Sequence, residues 1–204
     1  MMNGNSTTTE VQLRHALFEA GRAMVGNERL TERLAVGLLT GRPILVGGPH
    51  GVGKCHAART MARVFGLGVT VRHAPDAGGA LSDLDDDRLN IVTDLELADV
   101  AAGNDLAAVL GRPDPAMFVA TVGDVRPGRL SRRIRDEMLM FVEVPYPEPT
   151  AERLVARHVM EAQPIDAILQ PADLVALRRG VAGVGIDDPT LDYAVRLVQA
   201  TRAP

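Results

Sequence analysis

Lys54 has the clearest chemical prospect of any side chain in this sequence, because of what precedes it. Residues Gly48-Pro49-His50-Gly51-Val52-Gly53-Lys54 fit G-x-x-x-x-G-K-[ST] up to the last place, where Cys55 replaces the hydroxyl. Glycines in such a loop let backbone N–H groups turn inward. The helix that comes next adds partial positive charge at its N-terminus, and the lysine reaches the terminal phosphates of a nucleotide. The candidate nucleotide-binding residues are therefore Gly48, Pro49, His50, Gly51, Val52, Gly53, Lys54, Cys55 and His56. Magnesium wants hard oxygen ligands, so the Cys55 thiol is a poor substitute for a hydroxyl. A thiol at a helix N-terminus beside a lysine is expected to be reactive and could gate the pocket by oxidation. The plainer alternative is a small residue tolerated once metal chemistry was abandoned.

Other titratable residues promise less. His50, Cys55 and His56 are close in sequence but are not expected to converge on a metal, and His15, His73 and His158 are isolated. Arg126, Arg129, Arg132, Arg133 and Arg135 make a basic cluster, read here as a solvated face pairing with acids such as Asp85, Asp86 and Asp87. A subunit contact is the alternative.

The elements around the loop suit it. Pro43–Val46 is an apolar β-type run and His56–Phe65 reads as a helix, so strand, glycine loop and helix follow in order. Ahead of them, Glu10–Met24 and Glu28–Leu39 carry helical apolar stripes, with Asn27 as a possible cap. Further strands are expected at 68–73, 89–94, 116–122 and 138–144, with a loop at 74–87. A helical stretch at 95–110 is expected to be interrupted at Gly103-Asn104, and 126–137 is partly helical. Strands alternating with helices predict a mainly parallel sheet, whose ligands bind beyond the carboxyl ends of the strands. Gly48, Asp94 and Gly123 all fall at such ends. After Pro145-Tyr146-Pro147-Glu148-Pro149 the chain reads as helices at 150–161, 172–181 and 191–201, the last capped by Asp188 ahead of Pro189. Its stripe of Leu191, Ala194, Val195 and Val198 is expected to be a packing surface.

The composition bounds the possibilities. At 204 residues, 46% hydrophobic and 24% charged, the chain is sized for one globular domain with a small appendage. A net charge of -4 gives no electrostatic case for nucleic acid or an anionic membrane. Aromatics at 3% exclude a single-strand-binding platform. One cysteine excludes a disulfide framework, and neither a signal peptide nor a membrane-spanning run is apparent, so a cytoplasmic protein is expected.

Several short motifs, in order, resemble the MoxR branch of the AAA+ ATPases. Met24-Val25-Gly26-Asn27-Glu28 is similar to its V-G-[QN]-E, and Leu45–Lys54 parallels its L-L-E-G-x-P-G-x-G-K. Ala74-Pro75-Asp76 sits at its T-P-D, Phe118-Val119-Ala120-Thr121 at the F-V-A-T before its sensor asparagine, and Tyr146-Pro147 at the Y-P opening its helical lid. Asp192-Tyr193 and Ala200-Thr201-Arg202 resemble the lid's D-Y and A-T-R. The resemblance implies a five-stranded parallel α/β core at 10–147 and a helical lid at 148–204, while the polar residues 1–9 read as a disordered lead. It also implies ATP or ADP with Mg2+, ring assembly as a homo- or hetero-oligomer, chaperone-like remodelling of a protein client, and a partner carrying a von Willebrand factor A domain.

Against that pattern, the hydrolytic side chains have changed. Asp94 keeps the acid that ends the third strand and, with Cys55, is a candidate metal position. Leu95 replaces the water-polarising glutamate, and a leucine cannot act as a base. Glu96, with Asp94 the remaining catalytic candidate, would face the opposite way on an extended strand. Gly123 stands at the sensor asparagine and Glu137 at the arginine finger, where loss alone costs roughly three to five powers of ten in rate. The chain also ends at Pro204, before the lid arginine of the pattern, as a truncated member would. The expectation is an ATP- or ADP-binding pseudo-ATPase with weak or absent hydrolysis, serving as a chaperone-like or regulatory assembly component. Alternatives are a working ATPase using Glu96 and a relocated arginine (Arg133 or Arg135), and a structural adaptor with an empty pocket. On the first reading, restoring Cys55→Thr, Leu95→Glu, Gly123→Asn and Glu137→Arg together should recover activity.

Overall fold

The computed structural model, which describes residues 4–24, 26–77, 81–112, 116–123, 130–160 and 165–202, folds these runs into one sheet flanked by helices. Val25, Arg126, Arg129, Glu161 and the side chain of His158 lie outside the described residues. The strands are β1 (Ile44–Gly47), β2 (Gly68–His73), β3 (Arg88–Thr93), β4 (Phe118–Val122) and β5 (Met140–Glu143). They stand in the order β2-β3-β4-β1-β5, every neighbouring pair parallel. The expected five-stranded parallel sheet is borne out. β1 and β4 are buried along their whole length, which is why both read as near-continuous apolar runs, broken in β4 only by Thr121.

The helices are α1 (Gly4–Ala23), α2 (Glu28–Thr40), α3 (Lys54–Val64), α4 (Ala74–Ala77), α5 (Val100–Leu110), α6 (Arg132–Glu137), α7 (Pro149–Met160), α8 (Pro171–Ala182) and α9 (Asp188–Ala200). Strand alternation divides the core in two. Ile44, Val46, Ile91 and Val119 pack with α1, α2, α3 and α8 on one face. Leu45, Val92, Ala120 and Val122 pack with α5 and α6 on the other. Leu106 of α5 is fully buried in that second cluster, and Leu106→Ala is expected to cost about 3 kcal/mol in a urea unfolding experiment. Buried Asn90 is satisfied throughout: its amide donates to the carbonyls of Asp85 and Met117, and its oxygen accepts from Asp85 N and Arg72.

Some boundaries differ from expectation. α1 begins at Gly4, inside the stretch read as a disordered lead; once a helix is nucleated, each added residue gains a backbone hydrogen bond, so elongation needs no strong former. α5 runs unbroken through Gly103-Asn104, because Gly103 is buried where α5 approaches Ile134 of α6. α4 opens what was expected to be a loop. Asn27 sits at the start of α2 but makes no side-chain cap bond. Asp187 caps α9 by accepting from Thr190 N, with Asp188 already helical. The apolar stripe of α9 is exposed throughout, so among the described residues it is not the packing surface expected of it.

Candidate functional site

The glycine loop leaves β1 at Gly47 and enters α3 at Lys54, where strand carboxyl ends and a helix N-terminus meet. Gly51 and Gly53 hold φ of 85° and 89°, so successive amides can turn toward one centre. Lys54 is 9% exposed and folds back along the loop, donating to the carbonyls of Gly48 and Pro49, the latter at 2.7 Å. A backbone bond of 3.3 Å from Gly48 N to Gly123 O ties the start of the loop to the end of β4.

Asp94 lies next to this loop and is strained. It holds φ 54°, ψ 44°, the one non-glycine residue with positive φ among those described. That left-handed turn starts a short 3-10 segment, Leu95–Leu97, and ends the strand's alternation. In consequence Leu95 turns into the core, 1% exposed, among Val92, Leu106 and Ala120. Glu96 turns to the loop side, where its Oε1 accepts from Gly123 N at 2.6 Å. The expectation that Glu96 faces away is thus corrected: it assumed an extended chain, and Asp94 breaks that geometry. The other oxygen, Oε2, is buried with no hydrogen-bond partner. A Cβ on Gly123 would lie 2.9 Å from Glu96 Oε1 and 3.3 Å from His50 Cε1, so Glu96 and His50 fill the space a larger residue at 123 would need.

Two histidines bracket Asp94. His50 Nε2 lies 3.3 Å from its Oδ1 and His73 Nε2 3.0 Å from its Oδ2, while His73 Nδ1 meets Asp76 at 3.1 Å. Sequence reasoning gave His73 no role. It ends β2, which neighbours β3, and that adjacency brings it to Asp94. On donor chemistry, Cys55 and Asp94 do not fit magnesium. The thiol is half-buried against the apolar core, both Asp94 oxygens face imidazoles, and no group of three metal-competent side chains exists among the described residues.

Beside the loop opens a cavity of about 430 Å³, lined by His50–Gly53 and His56 on one side and by Met24, Asn27, Tyr146, Glu152 and Val155 on the other. Its size lies within the usual range of small-molecule pockets. Of the positions expected to stabilise charge, Glu137 turns toward Gly111 at the end of α5, and Arg132 pairs with Asp136 at 3.4 Å. Arg133 and Arg135 are exposed. The expected pairing of these arginines with Asp85, Asp86 or Asp87 is not seen among the described residues; Asp85 instead accepts from Thr70 of β2.

No protein-family model matches the chain. The chaperone MoxR1 of Mycobacterium tuberculosis is 29% identical over 228 aligned positions, which cover 94% of this chain. The chain spans 60% of the length of that relative. Among solved structures, a candidate ATPase from Cytophaga hutchinsonii superposes with a TM-score of 0.79 at 20% identity, covering 96% of this chain and 70% of the other. The RuvB Holliday junction branch migration motor of Thermotoga maritima gives 0.51 at 17% identity, covering 76% and 61%. Those two likenesses show the fold. No helix among the described residues is long and apolar enough to cross a membrane. In its glycine loop, its sheet order and a relative matched along nearly the whole chain, this protein is similar to the MoxR-type AAA+ proteins.

Proposed function

We propose that the protein binds a nucleotide, ATP or ADP, and turns it over slowly or not at all, acting as a chaperone-like or regulatory component of a cytoplasmic assembly. One observation carries this reading. The loop that would grip phosphates is in place around Lys54, while the residue in the water-polarising position is a leucine 1% exposed in the core. The amides of residues 50–54 and the start of α3 would hold the phosphates, with the base in the cavity beside Tyr146 and Val155. The reading has no step through a metal. Assembly with a second copy, a von Willebrand factor A domain protein or a protein client fits the exposed Leu191, Val195 and Val198 of α9, an apolar face of the kind partners cover.

A nucleotide titration by calorimetry tests binding, and a phosphate-release assay tests turnover. Lys54→Ala is expected to weaken nucleotide binding about 100-fold, the loss of one charge-assisted contact to phosphate. Lys54-dependent hydrolysis at ordinary ATPase rates would overturn the reading, and no binding at millimolar nucleotide would leave only the adaptor. A second reading, a working ATPase with Glu96 as base, is favoured by the Glu96 carboxylate lying on the loop side at Gly123 N. Its signature would be hydrolysis lost in Glu96→Gln.

A further inference from the structure

On the reading that the loop binds nucleotide, we infer that the site prefers a nucleoside diphosphate to the triphosphate and that Glu96 sets the preference. Lys54 marks where terminal phosphates lie, since a loop lysine reaches the β- and γ-phosphates. Its ammonium rests on Gly48 O, and Gly48 is bonded to Gly123, the residue whose amide Glu96 holds at 2.6 Å. Glu96 therefore stands at the terminal-phosphate end of the loop.

Charge at that end discriminates between the two nucleotides. Asp94 and Glu96 put two carboxylates there, and His50 bridges them in space, 3.3 Å from Asp94 and beside Glu96 at Gly123. Glu96 Oε2 has no donor, so its charge is offset on one oxygen only. A γ-phosphate entering here meets that carboxylate at close range in a partly dry site, where like charges repel far more than in water. The residue in the arginine-finger position is Glu137, turned toward Gly111, so it offers no compensating cation. A diphosphate stops short of the conflict and keeps the loop amides and Lys54.

Calorimetric titration of ADP and ATP, each with magnesium and with EDTA, tests this on the full chain. ADP is expected to bind about tenfold tighter than ATP, the effect of one unfavourable charge contact. Glu96→Gln keeps an oxygen for the Gly123 amide and removes the charge. It should bring the two affinities within about threefold by strengthening ATP alone. Glu96→Ala should do the same, and thermal melting checks that both variants fold. Equal affinities in the wild type, tighter ATP, or a ratio unmoved by both folded variants would each overturn the preference while leaving nucleotide binding intact. The wild-type ratio decides even if a variant fails to fold. Binding of neither nucleotide would overturn nucleotide binding itself, and the preference with it.

Discussion

Leu95→Glu is expected to lower stability by about 4 kcal/mol and to bring no gain in hydrolysis. From the sequence alone it looks like a repair, since it returns a carboxylate to the water-polarising position. In the fold that position faces the wrong way. Asp94, at φ 54°, swings the chain into the 3-10 turn, and Leu95 points among Val92, Ala102, Leu106 and Ala120 at 1% exposure. A glutamate there must bury a charge without a partner or stay protonated, and it also gives up the packing of a buried leucine. Gly123→Asn meets a milder obstacle: its Cβ would lie 2.9 Å from Glu96 Oε1, which must swing away and give up its bond from Gly123 N. The fourfold restoration of Cys55, Leu95, Gly123 and Glu137 is therefore expected to fail, because the carboxylate at 95 still points into the core. Urea midpoints and phosphate release on Leu95→Glu give the check. A variant of wild-type stability, with new ATPase activity, would mean that the turn after Asp94 can reverse.

That turn also marks how far the sequence could be read. The strands were legible because each is a short apolar run between breakers, and β2 fell where its Val69, Val71 and flanking residues put it. The loop was legible because few sequences place glycines and a lysine at that spacing between a strand and a helix. Orientation after β3 was not, since alternation holds only while the chain stays extended, and a single αL aspartate cancels it. The His50–Asp94–His73 cluster was equally hidden. It depends on β2 lying beside β3, a property of the sheet order rather than of any local pattern. Gly103 misled for a different reason. Glycine weakens an isolated helix, but here its missing side chain is what lets Ile134 approach α5.

Gly48→Ala is expected to cost about 3 kcal/mol and to abolish nucleotide binding, although it adds a single methyl group. Two demands coincide at this residue. Its φ of 146° lies in a region that residues with a side chain rarely adopt. A Cβ there would also be driven into the carbonyl oxygen of Val144 and sit 3.1 Å from its carbon. That contact is backbone, fixed by the bond from Val144 N to Gly47 O at 2.8 Å that carries the β1–β5 pairing past Glu143, so no rotamer change relieves it. Relief must come from lifting the loop off β5, which moves the Gly48 carbonyl that Lys54 grips and breaks the tie to Gly123. Gly51→Ala separates the two causes. It too has positive φ, 85°, but its Cβ would meet nothing within 4 Å, so its cost should be only about 1 kcal/mol. Thermal melts and ADP titrations of the two variants side by side make the comparison. If Gly48→Ala behaves like Gly51→Ala, the loop is not seated on β5 as described. If it binds ADP normally despite a lower melting point, the start of the loop has no part in gripping phosphate.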